Sequence, residues 1–180
     1  EVSGGLVSRE VERTCEVDIA LRWGTGYDIE VQSFVNIIAT PKGGTHMSGF
    51  EQGLTKFFRK QIEVNARKLK AGSDKPDKDD ILTGLTAVVT VRVPEPQFEG
   101  QTKEVLGTAA VRAIVSRAVV QGMTERYEST KKHDKTQSGA LLEKMVSEMK
   151  SRIALRAQRD TARRKSSLES SSLPAKLIDC

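Results

Sequence analysis

Aromatic residues make up only 4% of this chain, and it holds two cysteines, five prolines and a single tryptophan. Each scarcity excludes something. Cys15 lies in a strand-like run and Cys180 is the last residue, a usage that builds no disulfide framework and suits a reducing cytosol, so the expected location is the cytoplasm. No apolar run approaches the roughly 20 residues that a membrane-spanning helix needs. No secretory signal is expected for this protein. What is present is 37% hydrophobic residues, a formal charge of +5 and a pI near 9.3 over 180 residues. That length is enough for one ordinary domain, able to bury on the order of 70% of its unfolded surface. A mild basic excess favours a polyanionic partner only where the charges cluster.

Periodicity sets the elements. Residues 1–13 carry no clear period, and Gly4 and Gly5 mark them as a lead-in segment. From Cys15 the chain alternates, with Val17, Ile19, Leu21 and Trp23 on one face and Glu16, Asp18 and Arg22 on the other, the pattern of a half-buried strand. Gly24, Thr25 and Gly26 interrupt it, and a second β-rich run from Ile29 to Ala39 follows at hairpin distance. The G-x-G in that turn lacks the remaining spacing of a dinucleotide fingerprint. Beyond Pro41, Lys42, Gly43 and Gly44, Thr45 is placed to cap a helix whose apolar residues Phe50, Leu54, Phe57, Phe58, Ile62 and Leu69 recur at spacings of mostly three and four. Glu63 and Arg67, four apart on its outer face, are in the favourable order for a helical ion pair. His46 has no Cys, Asp or second His at a matching spacing and reads as a polar residue at the helix start or near a phosphate. The D-x-D of Asp77 and Asp79 lies in a charged loop, where Asp79 or Asp80 would cap a short turn before Gly84. Leu85 to Val93 is nearly continuous in valine and alanine and reads as a central strand, ended by Pro94 and Pro96.

Two further helices follow. Thr108 is placed to cap one that bears Val111, Ile114, Val115, Ala118, Val119 and Met123; residues 131–136 break the pattern; and a third helix begins near Ser138 with Leu141, Leu142, Met145, Met149 and Ile153 as its apolar stripe. Past Ile153 that stripe ends, although no helix breaker appears before Lys165. A helix that continues without a buried face must project beyond the core. Arg152, Arg156, Arg159 and Arg163 fall along one side of it, with Lys150, Arg164 and Lys165 nearby and Asp160 opposing them. A row of this kind is either a solvated helix face or a surface for nucleic-acid phosphates, where each neutralised phosphate releases counterions. No aromatic is interleaved with the arginines, so backbone contact is expected rather than base stacking. Ser166 to Ser172 reads as a serine-rich linker, and Leu173 to Cys180 as the start of another unit.

One loop stands between the central strand and these helices. In Gly100, Gln101, Thr102 and Lys103 an amide and an ammonium are held out together, a pair of donors suited to an anionic oxygen.

Three stretches in order carry a resemblance: Gly43, Gly44, Thr45, His46 with Gly49 and Phe50; Gly100 to Lys103; and Leu173 to Cys180. Together they resemble the transducer domain in the ATPase subunit of bacterial type IIA DNA topoisomerases, the gyrase B and ParE family. The resemblance implies an α/β fold, the ribosomal protein S5 domain 2-like two-layer sandwich, here with a long projecting C-terminal helix. It implies that residues 14–165 are the transducer, that 1–13 lead from an upstream GHKL ATPase domain and that 166–180 link to a TOPRIM domain. Gln101 and Lys103 stand at the positions that contact the ATP γ-phosphate in the family. The basic helix would line a cavity for duplex DNA, with Arg152, Arg156, Arg159 and Arg163 as candidates by position and charge. ATP and Mg²⁺ are the cofactors implied for the full-length subunit, and an A subunit of the GyrA or ParC type is the implied partner in a heterotetramer. The N-x-x-D-N box for magnesium and nucleotide and the E-G-D-S motif of the metal-binding domain are not in these 180 residues, so the chain by itself is expected to be catalytically inert. Ala175 replaces the usual glycine of the closing Leu-Pro-Gly-Lys-Leu. The competing reading is a free-standing S5-like nucleic-acid-binding module that uses the arginine row with no nucleotide link.

Overall fold

The elements run β1 (Glu16–Trp23), β2 (Glu30–Val35), β3 (Ile38–Ala39), α1 (Thr45–Val64), α2 (Ala66–Leu69), α3 (Lys78–Leu82), β4 (Leu85–Arg92), β5 (Phe98–Glu99), β6 (Val105–Leu106), α4 (Ala109–Glu128) and α5 (Lys132–Ser170). They come from a computed structural model that describes residues 14–170, and side chains as far as residue 165. The lead-in segment 1–13 and the closing Leu173 to Cys180 lie outside the described residues.

β4 is the hub of the sheet, as its valine-rich sequence predicts. The strand order is β1-β4-β2-β3, with β1 antiparallel to β4 from Glu16↔Arg92 to Trp23↔Leu85 and β2 parallel to it from Glu30↔Thr86 to Val35↔Val91. The expected hairpin between the first two runs does not form, because β4 inserts between them. A central position for the most apolar strand buries more surface than an edge would, and Leu85, Ala87, Val89 and Val91 all point into the core. Gly24 instead donates its N–H to the Gly84 carbonyl at 2.8 Å, closing the end of the β1–β4 pair. Parallel β2 and β4 require a crossover, and α1 lies within it.

Among the described residues, helices cover one face of this sheet only. On the other face Arg92 pairs with Glu16 at 2.8 Å and Asp18 at 3.5 Å across the β1–β4 register. On the inner face Phe50, Leu54, Phe57, Phe58 and Ile62 of α1 are buried, and Trp23 meets Phe58 edge-on at 5.5 Å between ring centroids. α1 also lies directly on α4. A Cβ added at Gly49 would stand 2.4 Å from the Arg112 carbonyl oxygen, and one at Gly53 would stand 2.9 Å from that of Ser116. The contact depends on those two missing side chains. α1 ends at Val64, short of Leu69, which lies in the separate α2. Asn65 sits at the break and donates its amide to the Gln61 carbonyl and to Tyr127 Oη. Glu63 and Arg67 fall on opposite sides of that break and form no ion pair.

The starts of α1 and α5 differ from expectation. Gly44, not Thr45, is the N-cap of α1. α5 begins at Lys132 rather than near Ser138, because Ser129 donates to the Asp134 carboxylate at 2.7 Å and Arg126 reaches it at 3.4 Å. Those contacts hold Asp134 below the usual carboxylate range, the Ser129 hydrogen bond most of all. A polar stretch that looked like a break is therefore the first turn of the helix. Leu142, Met145, Val146 and Met149 bury the middle of α5, and every residue from Ala154 to Lys165 is exposed. The helix has 39 residues, about 58 Å at 1.5 Å per residue. It continues five residues past Lys165, through serines expected in a linker.

Candidate functional site

The Gly100 to Lys103 stretch is the tip of a hairpin. β5 and β6 pair antiparallel, Phe98 with Leu106 and Glu99 with Val105. At the tip Gly100 has φ 79° and Lys103 has φ 55°. A lysine in the left-handed region costs of order 1 kcal/mol or more, so the turn is held by what surrounds it. Gln101, Thr102 and Lys103 are exposed. Glu104 buttresses them, accepting from Lys42 Nζ at 2.6 Å and from the Thr102 hydroxyl at 3.2 Å. The Lys42 hydrogen bond is the main cause of a Glu104 acidity stronger than that of an ordinary glutamate.

The base of the hairpin is joined to the start of α1 by backbone. Leu106 donates its N–H to the Gly43 carbonyl at 3.2 Å, and Gly44 bridges Leu106 as a parallel β-pair. Gly44 has φ 132°, and a Cβ there would stand 2.4 Å from both the nitrogen and the oxygen of Leu106. Only glycine fits. Beneath this joint His46 is fully buried, its Nε2 3.1 Å from the Thr40 hydroxyl, which is in turn bonded to Ser33. Burial lowers the His46 pKa to about 4, so the ring is neutral at physiological pH. Its Nδ1 and the Thr45 hydroxyl are buried without a hydrogen-bond partner. His46 is a packing residue of the α1 start and does not reach the exposed tip. Thr108 caps α4 by position while its hydroxyl accepts from the Gln97 N–H at 3.0 Å, tying the helix to the strand that leads to the tip.

The arginine row has a different foundation. Arg152 does not face outward. Its Nε donates to both Asp80 oxygens, at 2.8 and 3.0 Å, and its NH1 lies 2.9 Å from Asp77. The pair is largely dry, with Arg152 20% and Asp80 4% exposed at the side chain. The Asp80 hydrogen bond holds the guanidinium charged more firmly than usual. Asp77 and Asp80 form the capping box of α3, with the Asp77 N–H on Asp80 at 2.8 Å. This corrects the expected role of the D-x-D: Asp77 is the N-cap, and its carboxylate also serves α5. Arg156 stands 3.9 Å from Asp77 and is 66% exposed; Arg159 and Arg163 are exposed further along. Arg59 of α1 donates to the Pro76 carbonyl at 2.9 Å and lies 3.7 Å from Asp77. Lys144 joins α5 to the sheet through the carbonyls of Gly24 and Thr83.

Sequence reasoning identified the tip and the row but missed Lys42, Glu104, Asp77 and Asp80 as their supports. Lys42 and Glu104 are 62 residues apart and Arg152 and Asp80 are 72 apart, and no local pattern announces such pairs. Among the described residues no group of three or more His, Cys, Asp or Glu side chains is placed to hold a metal ion.

The structure thus defines a two-layer α/β sandwich that presents a donor-bearing hairpin tip and carries a long basic helix. The family model described as DNA gyrase B matches residues 3–161, and the chain belongs to that family. It is 41% identical over 169 residues to the DNA gyrase B protein of Campylobacter jejuni, covering 94% of this chain and 21% of that protein. With the DNA gyrase B protein of Treponema pallidum it shares 42% over 170 residues, covering 91% and 25%. The chain therefore spans a fifth to a quarter of the length of these relatives. Among solved structures it is similar to the topoisomerase IV ATP-binding domain of Francisella tularensis, with a TM-score of 0.67 and 26% identity over 82% of this chain and 39% of that one. The 43K ATPase domain of Thermus thermophilus gyrase B gives a TM-score of 0.66 and 29% identity, covering 83% and 40%.

Proposed function

We propose that this chain is the transducer from the ATPase subunit of a type II DNA topoisomerase, sensing the ATP γ-phosphate at the hairpin tip and coupling ATP hydrolysis and dimer closure to DNA strand passage. The observation that carries the reading is the tip itself: Gln101 and Lys103 are exposed together on a turn whose base is welded to α1 at Gly44. Family membership supports it, as do similarities to a topoisomerase IV ATP-binding domain and a gyrase B 43K ATPase domain.

On this reading the nucleotide is held by a separate GHKL domain, and residues 14–165 are the transducer between that domain and a TOPRIM domain. The Lys103 ammonium and the Gln101 amide donate to γ-phosphate oxygens. A charge-assisted hydrogen bond of this kind is worth about 1.5–3 kcal/mol, and it is lost with the phosphate. Only a contact that differs between nucleotide states can shift a domain equilibrium. The hairpin base has little slack with which to absorb a displacement, because its Gly43, Gly44 and Leu106 contacts are made by backbone. A pull on the tip is passed to the start of α1. Among the described residues no group of three or more His, Cys, Asp or Glu side chains is placed to hold Mg²⁺.

At the far end Arg156, Arg159 and Arg163 face the phosphates of duplex DNA without reading its sequence, while Arg152 anchors the row. The working assembly includes an A subunit and operates in the cytoplasm. The test is the Lys103→Ala variant of the complete subunit assembled with its A subunit. The expected result is a fall of about tenfold or more in ATP turnover and in supercoiling. Full activity in both assays would overturn the proposal.

A further inference from the structure

We propose that Asp77 is a reversible competitor for Arg156 and so lowers the affinity of the basic arm for DNA until a duplex displaces it. The inference rests on the reading of the arm as a DNA-facing surface. Three carboxylates stand at the start of α3, and two of them, Asp77 and Asp80, hold the arginines of α5 in different ways. Asp80 is buried and grips Arg152 through two hydrogen bonds to Nε, an arrangement that water cannot easily replace. Asp77 is 45% exposed at the side chain, and its Oδ2 lies 2.9 Å from Arg152 and 3.9 Å from Arg156, while its Oδ1 lies 3.7 Å from Arg59. Of these contacts the one to Arg156 is the longest and the wettest. It is an ion pair of the strength that solvent and a phosphate can exchange.

Arg156 is also the first exposed arginine after the apolar stripe ends. A phosphate arriving at the arm from its base meets this guanidinium before Arg159 and Arg163, and it meets Asp77 with it. Releasing Asp77 from Arg156 leaves Asp77 paired with Arg152 and Arg59, so little is lost when the exchange occurs. The local carboxylates are thus divided: one fixes where the arm begins, and the other sets how readily its first arginine is given up.

The test uses the 180-residue chain and a labelled 30-base-pair DNA duplex, with binding read by fluorescence anisotropy across a salt series from about 50 to about 200 mM. Asp77→Asn removes the charge but keeps a good N-cap; Asp77→Ser does the same with a different side chain. Both are expected to bind the duplex about two- to fivefold more tightly. The gain is expected to vanish when Arg156→Gln is added, and the exposed neighbour Asp79→Asn is expected to give less of it. A gain that persists in the Arg156→Gln background would reveal general charge rather than competition, and would overturn the inference. No gain from either Asp77 variant, in a chain where Arg156→Gln weakens binding, would also overturn it while leaving the DNA-facing arm intact. If Arg156→Gln and Arg159→Gln leave binding unchanged, the reading of the arm itself fails and the inference goes with it.

Discussion

The hairpin tip and the basic arm both hold out exposed charged side chains, yet they are mounted by different chemistry. Backbone anchors the tip, through Gly44 against Leu106 and the Leu106 N–H on the Gly43 carbonyl. Side-chain charge anchors the arm, through Arg152 on Asp80 and Asp77. The backbone joint tolerates no added atom and does not respond to salt, although the Lys42–Glu104 pair beside the tip is a partly exposed ion pair. The second can be loosened by removing one charge, and at its exposed fringe by salt. A contact that must transmit displacement gains from the first, and a surface that must exchange partners gains from the second.

Unfolding measurements on single variants put this contrast to the test. Gly44→Ala should have the largest effect, because it combines an unfavourable φ with a Cβ 2.4 Å from backbone. A loss of about 3 kcal/mol or more is expected in urea unfolding, and an unchanged midpoint would refute the weld. Arg152→Ala comes next at about 3 kcal/mol, since it strands the buried Asp80 carboxylate. The same change at Arg156, whose pair is wet, should alter stability by no more than about 0.5 kcal/mol. Equal losses at the two positions would abolish the distinction between anchor and fringe.

Acid offers a third test. His46 has a folded pKa of about 4, below its ordinary 6.5, so the unfolded chain takes up the proton first. Its contribution is fully present above pH 6.5 and is lost as the pH falls towards 4, with a slope of at most about 1.4 kcal/mol per pH unit. A His46→Leu variant should lack that slope in denaturation curves taken across the range. Smallest in stability is charge reversal at Arg156 and Arg159, which should leave the fold unaltered while weakening duplex binding and flattening its dependence on salt. An unchanged salt slope would count against a DNA-facing arm.

How far the sequence was legible follows from the range of the forces involved. Alternation in Val17 to Trp23, the valine run of β4 and the stripes of α1 and α5 are local signals, and all four elements are present. The loss of the stripe after Ile153 was likewise readable, and it marked the arm. Pairing order was not, because the preference of β4 for the centre of the sheet overrode the proximity of β1 and β2 in the chain. The start of α5 was missed since Ser129 and Arg126 satisfy Asp134 from outside the helix. Arg152 looked like its neighbours at 156, 159 and 163 by spacing alone. Its partner is 72 residues away, so nothing near it in sequence distinguishes an anchor from an exposed cation. At the tip the donors Gln101 and Lys103 were visible, but their support by Glu104 and Lys42 was not.

On the function proposed above, the tip bearing Gln101 and Lys103 reports one phosphate group. Equilibrium binding of a non-hydrolysable ATP analogue and of ADP to the complete subunit, with and without Lys103→Ala, tests it most directly. The analogue is expected to lose about tenfold or more in affinity, while ADP binds the variant and the parent alike. Equal losses for both nucleotides, or no loss for either, would contradict it.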